Sequence, residues 1–144
     1  MIILDAYAVL ALLKGEPAAE LVAELLDGDD EARLTAVGVA EVIDHLVRLV
    51  GSSEDDAALD IAQLGLADAV PVDPPLALQA GLLRARHYHR RLRAVSLADC
   101  VAAEAARRNR TAVASADPHL LDLCRDEDID RIVLPDSAGN LWSG

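Results

Sequence analysis

The chain has 144 residues, of which 53% are hydrophobic and only 2% are aromatic. This composition excludes a disordered chain and predicts a core of Leu, Val, Ile and Ala, as in helices packed on a sheet. The 25 acidic and 13 basic residues give a net charge of −12, which argues against non-specific binding to nucleic acid or to an anionic membrane. Such a charge suits a basic protein partner or bound cations.

Short β-like runs alternate with longer helical runs along the whole chain. The pattern predicts strands at residues 2–4, 33–36, 69–72, 111–115 and 131–134. It predicts helices that end near residues 14 and 26, one that opens at Asp73-Pro74, and others at 39–50, 54–64, 96–108 and 118–124. Alternation of this kind predicts an α/β fold, a parallel sheet with crossover helices on both faces, in a single domain over residues 1–144.

The sequence carries no signal for a membrane or for secretion. No apolar run is long enough to cross a bilayer, and the first residues lack a basic region and carry Asp5 within their apolar run. The only cysteines, Cys100 and Cys124, are expected to be reduced, buried thiols rather than a disulfide or a metal pair. These features predict a cytoplasmic protein.

Three acids lie where a parallel α/β sheet gathers its functional groups, beyond the carboxyl ends of the strands. Asp5 follows the first predicted strand, Asp117 follows the strand at 111–115, and Asp99 lies at the start of a helix that could face the same cleft. Converging carboxylates raise one another's pKa unless a cation joins them. Oxygen ligands suit Mg²⁺ or Mn²⁺, and such a site favours metal-assisted phosphodiester hydrolysis.

Each of these acids also has a purely structural interpretation, and taken singly that interpretation is at least as good. Asp5 and Asp117 are plausible helix N-caps, the second with Pro118 at the first helical position. Asp99 stands three residues after Ser96, a spacing like that of a capping box. Glu41 shares a polar helix face with neighbouring charged residues, so it can be a solvated side chain.

A basic strip interrupts the acidic chain between residues 74 and 98, where five arginines and no acids occur. Arg86, Arg90 and Arg93 would share one helical face if the helix that opens at Asp73-Pro74 continues that far. Such a face could bind the phosphates of a nucleic acid. The alternative is a solvated helix end, where arginine is favoured by the helix dipole.

Four segments in order, "LDAYAVLALL", "VGVAEVIDHLVR", "VSLADC" and "VASADPHL", resemble PIN-domain ribonucleases, and most of all the VapC-type toxins of bacterial toxin–antitoxin pairs. The resemblance covers essentially the whole chain. It implies a three-layer PIN-like fold with an acidic pocket for Mg²⁺ or Mn²⁺. In the family pattern the four principal acids fall on Asp5, Glu41, Asp99 and Asp117, and Ser115 falls where a hydroxyl residue supports the site.

The resemblance also implies a function and partners. It implies a ribonuclease that leaves 5′-phosphate and 3′-hydroxyl ends. It also implies a cognate antitoxin that holds the enzyme inactive by placing a basic side chain in the acidic pocket. Members of the family are commonly homodimers. Metal held by Asp5, Asp99 and Asp117 would activate water, with Glu41 as a ligand or as a residue that orients a ligand.

Two departures from the family pattern keep other interpretations open. Tyr7 stands where the family has a small hydroxyl residue, so it is either a gate that narrows the pocket or a sign of altered metal chemistry. Pro118 and His119 follow Asp117 where some relatives carry a further acid, which puts a second metal ion in doubt. The alternatives are a non-catalytic PIN-fold binding module and a housekeeping RNA-processing nuclease without an antitoxin. Either would use the same fold.

Overall fold

The fold is built around one parallel sheet of four short strands. The computed structural model describes all 144 residues. Its strands are β1 (Ile2–Leu4), β2 (Ala32–Arg33), β3 (Ala112–Ser115) and β4 (Arg131–Val133). They lie in the order β2-β1-β3-β4, and every neighbouring pair is parallel, which confirms the predicted α/β class.

Seven α-helices cover the two faces of this sheet. They are α1 (Ala6–Lys14), α2 (Ala19–Asp27), α3 (Ala36–His45), α4 (Glu54–Gln63), α5 (Pro74–His87), α6 (Leu97–Arg108) and α7 (Pro118–Asp126). A π-helical turn at Leu46–Val50 extends α3. None of the helices has the length and apolar character that crossing a bilayer requires.

The alternation of side chains along each strand divides the core into two parts. Ile2 and Leu4 pack with residues of α1–α4 on one face of the sheet, whereas Ile3 packs with residues of α5–α7 on the other. Cys100 and Cys124 are buried in this second part and form no disulfide. Helix, sheet and helix therefore form three layers, as predicted.

One predicted strand is wrong and another is displaced. Residues 69–72 contribute only an isolated bridge between Thr35 and Val70, because Pro71 has no N–H with which to continue a ladder. The strand predicted at 33–36 ends at Arg33, since the Thr35 hydroxyl accepts a hydrogen bond from Gly38 N at 3.0 Å and starts α3.

Candidate active site

The strand order creates a crevice between β1 and β3. From β1 the chain crosses to β2 on one side, whereas from β3 it crosses to β4 on the other, so the two connections diverge at the carboxyl ends of adjacent strands. Crevices of this type are where open α/β sheets bind ligands. Asp5 directly follows β1, and Asp117 comes two residues after the end of β3.

Asp5 is a buried carboxylate, with only 8% of its surface exposed. Its Oδ1 accepts a hydrogen bond from Ala8 N at 2.9 Å and caps α1. Burial, together with a smaller repulsion from Asp99 and Asp117, raises its pKa to about 7, although hydrogen bonds from Ser115 and Ala8 act to lower it. Asp5 therefore lies close enough to Asp99 and Asp117 for their charges to interact.

Asp99 lies in the first turn of α6, within a complete capping box. Ser96 Oγ accepts from Asp99 N at 3.0 Å, and Asp99 Oδ2 accepts from Ser96 N at 2.9 Å. Burial raises the pKa of Asp99, and repulsion from Asp117 adds to the effect. On α3, partial burial and then repulsion from Asp99 raise the pKa of Glu41. Asp99 thus connects Glu41 with the two acids at the ends of the strands.

Asp117 caps α7, with its Oδ1 accepting from His119 N at 2.8 Å. Its own N–H donates to Ser115 Oγ at 3.0 Å, so the Ser115 hydroxyl touches both Asp117 and Asp5. Asp5 and Asp117 are therefore helix N-caps and Asp99 completes the capping box of α6, as the structural interpretation proposed. Each cap uses one carboxylate oxygen, and the second oxygen lies outside the cap.

No basic side chain neutralises this group. Asp5, Glu41, Asp99 and Asp117 form no ion pair with Arg, Lys or His. Uncompensated carboxylates at partly buried positions are unfavourable unless a cation is bound. The electrostatics of the crevice therefore favour a positively charged ligand.

The donor set fits a hard divalent cation that keeps part of its hydration shell. No three His, Cys, Asp or Glu side chains come together closely enough to form a ready-made metal cage. Mg²⁺ does not require one, since it commonly binds through one or two carboxylates and several waters. His119 adds a nitrogen that the sequence pattern did not single out, since its Nδ1 is buried without a hydrogen-bond partner. The only indication of this in the sequence is that His119 follows Asp117 and Pro118 directly.

Tyr7 does not direct its hydroxyl at the carboxylates. Its Oη donates to the backbone oxygen of Pro135 at 2.8 Å, which joins α1 to the segment that follows β4. The side chain is partly buried, and burial raises the pKa of its phenol, with smaller contributions from Glu16 and other acids. Tyr7 is thus part of the wall next to the crevice.

The predicted helical face of arginines does not form. Helix α5 ends at His87, and residues 89 and 93 pair in a tight turn, so Arg86, Arg90 and Arg93 do not share a face. Arg86 lies 3.5 Å from Glu127, and Arg93 lies 2.9 Å from Asp126. These acids stand at the far end of α7, about 13 Å of helix away from Asp117. Arg90 is exposed and has no ion pair.

Comparison with known families gives one match in sequence. The family model for the PIN domain matches residues 2–126, which include all four acids. No curated protein gives a significant sequence match.

Solved structures show the same fold at low identity. FitAcB from Neisseria gonorrhoeae is 22% identical, with a TM-score of 0.66 over 92% of this chain and 96% of that one. VapC20 of Mycobacterium tuberculosis, described as a sarcin–ricin loop cleaving toxin, is 18% identical, with a TM-score of 0.66 over 85% and 94%. A toxin–antitoxin complex from Klebsiella pneumoniae is 14% identical, with a TM-score of 0.61 over 81% and 87%.

Proposed function

Because the chain belongs to the PIN domain family, we propose that it is a divalent-metal-dependent endoribonuclease. We further propose that it acts in the cytoplasm as the toxin of a toxin–antitoxin pair. The observation that carries the proposal is the group of four carboxylates without a basic partner at the crevice between β1 and β3.

In this proposal Asp5, Asp99 and Asp117 hold Mg²⁺ or Mn²⁺, and Glu41 is a further ligand or orients one. The bound ion supplies positive charge for the phosphodiester and lowers the pKa of water at the site. Ser115 keeps Asp5 and the backbone of Asp117 in place through its hydroxyl.

The protein also needs contacts to the rest of the RNA. Among the three predicted arginines, Arg90 is the one without an ion pair, so we assign it the contact to the RNA backbone. Arg86 and Arg93 have carboxylate partners and act mainly as structural residues. Tyr7 supports the wall of the crevice through its bond to Pro135.

The toxin proposal is supported by the structural relatives, one of which is described as a toxin–antitoxin complex and another as a sarcin–ricin loop cleaving toxin. The acidic crevice and the net charge of −12 suit an antitoxin that presents a basic side chain. A homodimer is proposed on the family resemblance alone.

The test is cleavage of mixed RNAs by the purified protein with Mg²⁺, compared with chelator. Asp99→Asn should lower the cleavage rate at least about 100-fold, because it removes a charge from the ion's ligands. Asp60→Asn, on α4 and without an ion pair, is the matched control and should cleave normally. Cleavage that survives both the chelator and Asp99→Asn would rule out the proposed site.

A second function is a PIN-fold binding module without catalysis. The observation in its favour is that no three metal-ligating side chains are preassembled. It predicts RNA or protein binding that is unaffected by Mg²⁺, with no cleavage in the same assay.

A housekeeping nuclease would cleave RNA but would not be inhibited by any small protein encoded beside it.

A further inference from the structure

A cavity of about 410 Å³ lies beside the candidate active site. Ala116 and Pro118, the residues on either side of Asp117, form part of its lining. Asp136, Asn140 and Trp142, from the segment after β4, also line the cavity, as does Asp122 of α7. The volume falls within the range of small-ligand sites.

The wall of this cavity is held in place by hydrogen bonds. Tyr7 fixes the start of the segment through Pro135 O at 2.8 Å. Asp136 N then donates to Asn140 O at 2.9 Å, and Asp136 Oδ1 accepts from the backbone N–H groups of Ala138 and Asn140, both at 2.9 Å. The turn is therefore ordered before any ligand arrives, which lowers the entropic cost of binding.

Trp142 is fixed in the same way. Its Nε1 donates to Asp122 Oδ1 at 2.8 Å. The guanidinium groups of Arg131 and Arg125 lie 5.0 and 5.9 Å from the centre of its ring system. Two cations already next to the indole disfavour a third, so a basic side chain of a partner protein is a poor occupant.

Several polar groups in the cavity have no partner inside the protein. The side-chain amide of Asn140, which is exposed to solvent where it lines the cavity, makes no hydrogen bond within the protein. The second carboxylate oxygens of Asp136 and Asp122 make none either. Acidic groups repel a phosphate but accept hydrogen bonds from ring and amino N–H groups. An aromatic ring, an amide and free acceptors together are the usual means of recognising an unpaired base.

We propose that this cavity receives an unpaired nucleobase with an exocyclic amino group, next to the phosphodiester at Asp117. The proposal rests on the proposed ribonuclease function, and it assigns base preference to Asn140 with Trp142 as part of the cavity wall. The substrate strand would then enter the crevice with one base held and the neighbouring phosphate at the carboxylates.

The chain offers a direct probe, because Trp142 is its only tryptophan. Nucleosides, which carry no phosphate, are titrated into the metal-free protein while tryptophan emission is recorded. Guanosine, adenosine and cytidine should change the emission saturably, uridine should bind more weakly, and ribose 5-phosphate should have no effect. Asn140→Ala should raise the dissociation constant about fivefold, the effect of one lost hydrogen bond.

Gln79→Ala is the matched control, because it removes an exposed amide on α5 and should not change the titration. Absence of a saturable response with every nucleoside would overturn the proposal, as would equal binding of uridine. Stronger binding of N-acetylarginine amide would overturn it in favour of a basic protein partner.

Cleavage-site sequencing separates this proposal from the ribonuclease function. If the wild type cleaves RNA, Asn140→Ala should change the base preferred beside the cut and keep the metal dependence; an unchanged preference counts against the cavity. If nucleosides bind but no RNA is cut, the ribonuclease proposal fails and the base site stands.

Discussion

At the scale of single residues, the carboxylate of Asp5 has two roles: it caps a helix, and it places a negative charge in a buried position. Its Oδ1 caps α1, which needs only an acceptor, while its charge in a buried place is unfavourable. Because its pKa in the folded chain, about 7, lies above its ordinary value, the folded state favours the protonated form. Its contribution to stability is present at acidic pH and is lost as the pH rises through 7.

Asp5→Asn should therefore stabilise the metal-free protein at about pH 8 while abolishing cleavage. Asparagine keeps the acceptor for Ala8 N and removes the buried charge, so the free energy of unfolding should rise by roughly 1–4 kcal/mol. Urea unfolding with and without Mg²⁺ measures this. Mg²⁺ should stabilise the wild type and not the variant. A variant less stable than the metal-free wild type would contradict the account.

At the scale of elements, helix caps position the acids. Helices α1, α6 and α7 each begin at the crevice, and each carries one predicted acid in its cap or first turn. These caps were predictable from local sequence, since capping depends on residues a few positions apart. The end of α5 was not, because His87 ends the helix where residues 89 and 93 form their own turn.

Ser96→Ala tests whether the capping box of α6 matters for the site as well as for the helix. It removes the acceptor of Asp99 N, so it should cost roughly 1 kcal/mol of stability and lower cleavage about tenfold. Ser53→Ala removes an equivalent cap from α4, where Ser53 Oγ accepts from Asp56 N at 3.1 Å. Its stability loss should be similar and its activity normal. Equal losses of activity would show that both act through stability alone.

At the scale of the whole molecule, Glu127 joins the three helices on one side of the sheet. It follows α7 and contacts His87 Nε2 of α5 and Arg107 Nη2 of α6, each at 2.6 Å. The hydrogen bond with His87, together with Arg107, lowers the pKa of Glu127 to about 2. The contribution of the Glu127 contacts to the free energy of unfolding is therefore present above the ordinary pKa of glutamate, and it is lost as the pH falls towards 2.

Glu127→Gln should therefore destabilise the protein at neutral pH by about 1–2 kcal/mol, a value reduced by the partial exposure of the site. Its stability should fall less steeply than that of the wild type between about pH 4.5 and pH 2. Unfolding curves across this range measure both effects. Glu24→Gln, at an exposed position of α2 without an ion pair, should leave the curves unchanged. If stability fell equally steeply with pH for Glu127→Gln and the wild type, the contacts of Glu127 with His87 and Arg107 would not be the cause of the pH dependence.

The sequence by itself determined the alternating elements, the helix caps and the order of the four acids, because these depend on neighbours within a few residues. That residues 1–144 form a single domain stays a prediction. Only the tertiary structure decided that Arg86 is paired with Glu127 and Arg93 with Asp126. It alone also decided that Trp142 lines a cavity beside Asp117 and that Tyr7 holds the segment after β4 through Pro135. The reason is physical: these contacts join segments far apart in the chain, and their formation depends on how the helices pack, which no local pattern specifies.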